Sequence, residues 1–350
     1  MGGAELSEVR AGFELDVARL ERYLAEQVPG FRGPLSLRQF QGGQSNPTYL
    51  LDTPHRRYVL RRKPPGPLLA SAHAVDREYR IMSALQAHSD VPVPEVLVLC
   101  TDETVIGTWF YVMTHIEGRV FWDTSFPEVP VEERARYFDA MNAALASLHN
   151  VDPARAGLSD YGKTGGYFTR QISRWSAQYR RDAEAGSVAD LDRVIGWLEA
   201  HIPASEEVSL VHGDYRCDNL IFHPRDTRVL AILDWELSTL GSPLADFGYH
   251  LMMYRMPSLA VSGLLGKDLP ALGIPSEREY VAAYCARTGR DGIDHLEFYV
   301  AFNLFRFAAI LHGIRGRMLR GNAVSQRARD YARHVEAVAH FAWQTARQAS

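Results

Sequence analysis

One short stretch of the chain carries three oxygen-bearing side chains at a suggestive spacing. Leu210-Val211-His212-Gly213-Asp214-Tyr215-Arg216-Cys217-Asp218-Asn219-Leu220-Ile221-Phe222 has the skeleton H-x-D-x-x-x-x-N, followed by an apolar run. A turn at His223-Pro224-Arg225-Asp226 leads to a second run, Val229 to Leu233, which delivers Asp234-Trp235-Glu236. Phosphoryl transfer to an alcohol needs such groups, because its catalysis is mainly positioning and charge neutralisation. One carboxylate must accept the proton of the attacking hydroxyl, or orient it. Further oxygen donors must hold Mg²⁺ against a triphosphate, and carboxylate and amide carbonyl oxygens suit that ion. Asp214 is expected in the first role and Asn219 and Asp234 in the second. A lone HxD more often stabilises a turn, and a lone Asp often caps a helix. The full string, with two flanking strands and a second Asp, is much more specific.

The step from Asp214 to Asn219 resembles the catalytic loop of protein kinases. In such a loop His212 is expected to hold the backbone, not to act as a base. Asp246-Phe247-Gly248 spells the kinase metal motif, but it follows Gly241-Ser242-Pro243, not an apolar strand. Asp234 is therefore taken as the metal ligand. Asp246 is expected to be an N-cap or a buried brace for the loop.

The elements that must position these groups are legible as periodicity. Leu15, Val17, Leu20, Leu24 and Val28 predict an amphipathic opening helix. Leu35 to Phe40, Thr48 to Leu51 and Tyr58 to Arg61 predict an antiparallel meander. Ala74 to Ala87 predicts a helix, and Val91 to Leu99 and Trp109 to Ile116 two more strands. Helices are expected around Met141, Trp175 and Val194, and Phe298 to Leu311 reads as a buried helix. The expected architecture is α+β, a small antiparallel sheet lobe over residues 1–116 and a larger, mainly helical lobe over 117–350.

Nucleotide contacts are expected from the first lobe. Gly42 and Gly43 allow close backbone approach to phosphates, with Ser45 and Asn46 as added donors. Val59, Arg61 and Lys63 share a strand face. Val59 would line the adenine pocket and Arg61, or Lys63, would reach the phosphates. A solvated edge of Arg61, Arg62 and Lys63 is the plain alternative. Glu78 is the candidate ion-pair partner, against a solvent-facing Glu beside Arg77 and Arg80. Met113, Thr114, His115 and Ile116 are expected at the hinge, with backbone groups near Thr114 to Ile116 meeting adenine; a plain core role is the alternative for Met113.

Bulk properties exclude several classes. The 350 residues are 46% hydrophobic and 23% charged, which is globular composition. A formal charge of −4 argues against a nucleic-acid partner. The three cysteines are dispersed, so no disulfide framework or zinc site is expected. Glu5, Glu8, Arg10 and Glu14 break any apolar leader, and no run spans a bilayer. A cytoplasmic protein with no membrane partner is expected.

Leu210 to Phe222 (LVHGDYRCDNLIF) and Ile232 to Glu236 (ILDWE) resemble the aminoglycoside phosphotransferase, or choline/ethanolamine kinase-like, family. More narrowly, Tyr58 to Gly66 (YVLRRKPPG), Arg77 to Arg80 (REYR) and Leu237 to Asp246 (LSTLGSPLAD) resemble kinase-like domains fused to some acyl-CoA dehydrogenases. The resemblance implies a protein-kinase-like fold, ATP and Mg²⁺. Its narrower form implies phosphorylation of a hydroxyl on a hydroxyacyl-CoA or hydroxy acid, with any acyl-CoA dehydrogenase-type partner a separate enzyme. Arg170, Arg174, Arg180 and Arg181 beside Tyr161 to Tyr167 would suit such an anionic acceptor, unless they are an ordinary basic helix face. The rivals are an antibiotic phosphotransferase, which needs an acidic acceptor cleft, and a non-catalytic nucleotide-binding module, which has no need of Asp214, Asn219 and Asp234 together. A protein kinase is disfavoured, because no A-P-E segment follows Asp234.

Overall fold

The computed structural model describes residues 6–41, 46–64, 74–204, 206–259, 261–321 and 326–349. Gly42, Gly43 and Ser45 lie outside the described residues; Asn46 lies within them. In chain order the first part contains β1 (Leu6–Ser7), α1 (Val17–Gln27), β2 (Ser36–Phe40), β3 (Thr48–Asp52), β4 (Arg57–Arg62), α2 (Val75–His88), β5 (Val96–Cys100), α3 (Glu103–Ile106) and β6 (Phe110–Thr114). The second contains α4 (Val131–His149), α5 (Tyr167–Arg181), α6 (Ala189–Ala200), β7 (Ser209–Val211), β8 (Leu220–Phe222), β9 (Val229–Ile232), β10 (Thr239–Gly241), α7 (Pro243–Arg255), α8 (Glu277–Thr288), α9 (Leu296–Leu319), α10 (Gln326–Ala332) and α11 (Val335–Gln348). An antiparallel sheet thus precedes a mainly helical region, as expected.

The chain forms two compact units. The first holds the residues up to Phe121, together with Ala154–Leu158 and Asp218–Ser238; the second holds the rest. Along the chain the division falls at Phe121, not at 116, and the β8–β9 hairpin groups with the sheet.

In the first unit six strands run antiparallel in the order β1-β2-β3-β4-β6-β5. One face carries Tyr49, Leu51, Tyr58 and Leu60, which join Leu20, Leu24, Val28 and Phe31 of α1 and its exit in one apolar core. Asp16 caps α1 by accepting from Arg19 N, 3.0 Å. The other face carries Val59 opposite Met113 and Arg61 opposite Tyr111. The predicted strand from Val91 begins only at Val96. Pro92 and Pro94 precede it, and proline cannot donate to a ladder.

In the second unit α9 is the axis. Most of its length is buried, from Phe298 to Leu311, and α5, α6, α7, α10 and α11 pack around it. A helix hydrophobic on all sides belongs in an interior, which accounts for the long apolar run. Among the described residues no helix is long and apolar enough to cross a membrane. α7 approaches α9 closely at Gly248, where a Cβ would lie 2.9 Å from the Tyr299 backbone. β7 and β10 pair antiparallel and lead into the HGD turn and α7 respectively.

Candidate active site

Within the first unit, sheet alternation places one cation among carboxylates. Arg61 lies on β4, an inner strand, so its side chain is covered. Its Nε sits 2.9 Å from Glu78 Oε2, and its terminal nitrogen donates to Asp234 Oδ1 at 2.8 Å. Glu236 stands 3.6 Å from the same guanidinium. The Nε contact is an ion pair off the line of a hydrogen bond. Glu78 is 1% exposed and accepts from Asn46 Nδ2 at 2.7 Å and Tyr111 OH at 3.0 Å. Burial pushes the Glu78 carboxyl above its usual range, and Arg61 pulls against it. Burial would also strip Arg61 of its proton, but Glu78 and Asp234 outweigh that and hold it charged.

The solvated edge is thereby excluded for Arg61 and Arg62, which are 8% and 4% exposed. Lys63 sits with its ammonium 3.9 Å from the Trp109 ring centroid. Glu78 is no surface residue. Asn46, expected as a phosphate donor, donates its amide to Glu78 instead, because it is fully buried beside that charge. Arg61→Ala would leave Glu78 a buried charge without its cation, which costs about 3–5 kcal/mol. Chemical denaturation should register that loss, with Arg61→Lys keeping part of it. An unchanged unfolding midpoint in Arg61→Ala would disprove the pairing.

The β8–β9 hairpin explains how Asn219 and Asp234 become neighbours. Leu220 pairs with Ile232, and Leu233 N donates to Asn219 O at 2.8 Å. Asp234 follows directly, in the left-handed region with φ 64°. That conformation is costly for a non-glycine residue and is found at sites where function demands it. Asp234 precedes a 3-10 turn at Trp235–Leu237, yet its side chain does not cap it. An amide carbonyl and a carboxylate are hard donors that fit Mg²⁺ bound jointly with phosphate oxygens.

Val59 and Met113 face each other across β4 and β6. Beyond them Thr114 N donates to Glu95 O and His115 N to Arg57 O, at 2.8 and 3.3 Å. The amides of Thr114 and His115 are therefore already engaged.

Within the second unit the HGD turn is held from several sides. Gly213 has φ 84°, which a residue with a Cβ rarely adopts. Asp246 accepts from His212 N at 2.6 Å and Gly213 N at 2.8 Å, and His149 Nε2 lies 3.2 Å away. Burial pushes the Asp246 carboxyl up, but His149 and the loop amides outweigh it and hold it below the usual range. Asp246 is thus the brace and not the N-cap, since Ser242 caps α7. His212 Nδ1 accepts from Asp214 N at 3.2 Å, which is a loop-holding role.

Three contacts at this turn had no sequence signal. Tyr249 OH donates to Asp214 Oδ1. Arg216 Nε lies 3.5 Å from the same oxygen. Arg306 on α9 donates to Gly213 O at 2.7 Å and stacks 5.3 Å from the Tyr249 ring centroid. Nothing in the sequence joins Arg306 to the turn. On α5, Arg170, Arg174, Arg180 and Arg181 are exposed; Arg170 donates to Gly165 O and Lys163 O, and Arg174 lies over Trp175.

Comparison with known proteins decides the family. The model of the phosphotransferase enzyme family APH matches residues 36–299. The chain belongs to the APH family. As an APH-family member it is a small-molecule phosphotransferase with the kinase-like fold. It is 44% identical over 346 residues to acyl-CoA dehydrogenase family member 10 of Mus musculus, covering 98% of this chain and 32% of that protein. Across the curated relatives it spans from 32% to 45% of their length. A provisionally assigned aminoglycoside phosphotransferase of Ralstonia eutropha is 46% identical, with TM-score 0.89 over 96% of this chain and 100% of that one. An aminoglycoside phosphotransferase solved with AMP-PNP and hygromycin B shares the fold at 17% identity, with TM-score 0.61 over 93% of this chain and 98% of that one.

Proposed function

We propose that this APH-family chain transfers the γ-phosphoryl group of ATP to a hydroxyl of an anionic small molecule, a hydroxyacyl-CoA or hydroxy acid. The observation that carries the acceptor class is Arg216, 3.5 Å from Asp214. A guanidinium beside the base favours an alcohol that bears negative charge and disfavours a polycationic aminoglycoside. The similarity to acyl-CoA dehydrogenase family member 10 supports a substrate of acyl-CoA type.

Asp214 takes the proton of the acceptor hydroxyl, or orients it, as the bond from that oxygen to the γ-phosphorus forms and the bond from the γ-phosphorus to the β,γ-bridging oxygen breaks, with ADP as the leaving group. Asn219 and Asp234 would hold Mg²⁺, which when bound supplies positive charge to the triphosphate oxygens. Arg61, kept charged by Glu78, adds a second positive charge, and its fork suits phosphate bidentately. Val59 and Met113 offer an apolar surface to adenine. With Thr114 and His115 amides already donated, the polar recognition of the base falls to hinge carbonyls and Ile116.

Labelled ATP with Mg²⁺ and a panel of hydroxyacyl-CoAs, free hydroxy acids and aminoglycosides tests this reading. Transfer is expected to the anionic alcohols, with kcat/KM at least tenfold above that for any aminoglycoside. A preference for aminoglycosides would refute the acceptor class.

A further inference from the structure

We propose that Tyr249 is the positioning residue of the catalytic carboxylate, fixing Asp214 through a hydrogen bond from its phenol. The inference rests on Asp214 being the group that meets the acceptor. It begins from α7. Asp246 and Tyr249 stand one turn apart, so they share a face of that helix. Asp246 grips the backbone amides of His212 and Gly213. Tyr249 reaches the next residue and donates to Asp214 Oδ1. One helix face thus sets both the path of the turn and the attitude of its side chain.

The ring is itself held. Arg306 lies 5.3 Å from its centroid and is tied to Gly213 O at 2.7 Å. Tyr249 therefore has little room to swing, and its hydroxyl arrives where the packing puts it. Burial, and then the charge of Asp214, push the phenol well above its ordinary pKa, so it stays a donor wherever the enzyme works. A donor on Oδ1 fixes the plane of the carboxylate, and with it the direction in which Oδ2 points. Positioning of that kind matters for proton transfer, since a displacement of about 1 Å can cost roughly a hundredfold in rate.

Tyr249→Phe keeps the ring and its stacking on Arg306 and deletes only the hydroxyl. Its rates should be compared with wild type and Asp214→Asn. Phosphate release from Mg-ATP to water needs no identified acceptor, and transfer to hydroxyacyl-CoAs supplies the second assay. For Tyr249→Phe the expected result is a roughly tenfold or greater fall in kcat, with KM for ATP and the unfolding midpoint held. A kcat within about twofold of wild type overturns the proposal, and so does a fall in kcat that comes with a raised KM or a lowered midpoint, because that is what a packing role alone would give. Asp214→Asn separates the two levels. If Asp214→Asn is inactive while Tyr249→Phe keeps its kcat, only the role of Tyr249 fails. If Asp214→Asn retains full turnover, the assignment of the base fails first.

Discussion

Asp214→Asn is expected to lower phosphotransfer by about 10³-fold while ATP still binds. Asparagine matches the aspartate in shape, and its carbonyl oxygen can still accept from Tyr249 OH. It cannot take a proton, and its amide would present a donor to a hydroxyl that needs an acceptor. The negative charge beside Arg216 also disappears, so this side of the site becomes more cationic. Arg61, Glu78 and Asp234 belong to the other compact unit and are unaltered, so nucleotide affinity should change little. The rate of labelled phosphate transfer and the ATP dissociation constant are the two quantities to measure. Turnover within a few-fold of wild type would remove Asp214 from the mechanism.

Asp246→Ala is expected to destabilise the protein by about 3–5 kcal/mol and to cost most of the activity as a consequence. The carboxylate is buried and accepts from two consecutive backbone amides, and its removal leaves both without an acceptor in the interior. A buried donor left unsatisfied costs about 1–3 kcal/mol. His149, which joins Asp246 to Tyr284 OH through Nδ1 at 2.7 Å, loses its partner as well. Asp234→Ala should differ in kind. It should weaken binding of Mg-ATP and lower the unfolding midpoint less than Asp246→Ala does, because its carboxylate is partly exposed and Glu78 remains to pair with Arg61. Denaturant melts and Mg²⁺ titrations on both variants discriminate the two aspartates. Loss of metal affinity in Asp246→Ala with a normal melt would reverse their assignment.

The difference between what was legible and what was not follows from distance along the chain. Asp214, Asn219 and Asp234 fall within one strand-flanked stretch, so their types and spacing could be read together. Arg61 and Glu78 were reachable through the period of a strand and the position of a helix. The nature of their burial was not, because it depends on β4 being an inner strand, and strand order is a non-local property. Tyr249 meets Asp214 across 35 residues, and Arg306 meets Gly213 across 93. Those contacts arise from how α7 and α9 pack, and periodicity carries no record of them. Asn46 looked like a loop donor because the sequence does not reveal that Glu78 lies buried beside it. The dispute over Asp246 needed the observation that Ser242 already caps the helix. The unread element β1 is two residues long, too short for any alternation to register.

The adjacent arginines of β4 project to opposite sides of the sheet. Arg61 faces Glu78 and Asp234, whereas Arg62 donates to Phe13 O at 3.3 Å and lies 5.6 Å from the Tyr49 ring centroid. A slip of one residue that carried Arg61 to the place of Arg62 would carry Leu60 to the place of Arg61. One guanidinium would then be driven into the aromatic side in place of its neighbour, and an apolar side chain would meet the buried glutamate. Charge placement here proofreads the assembly of the sheet, so that a chain folded out of step is penalised before it can ever meet a nucleotide.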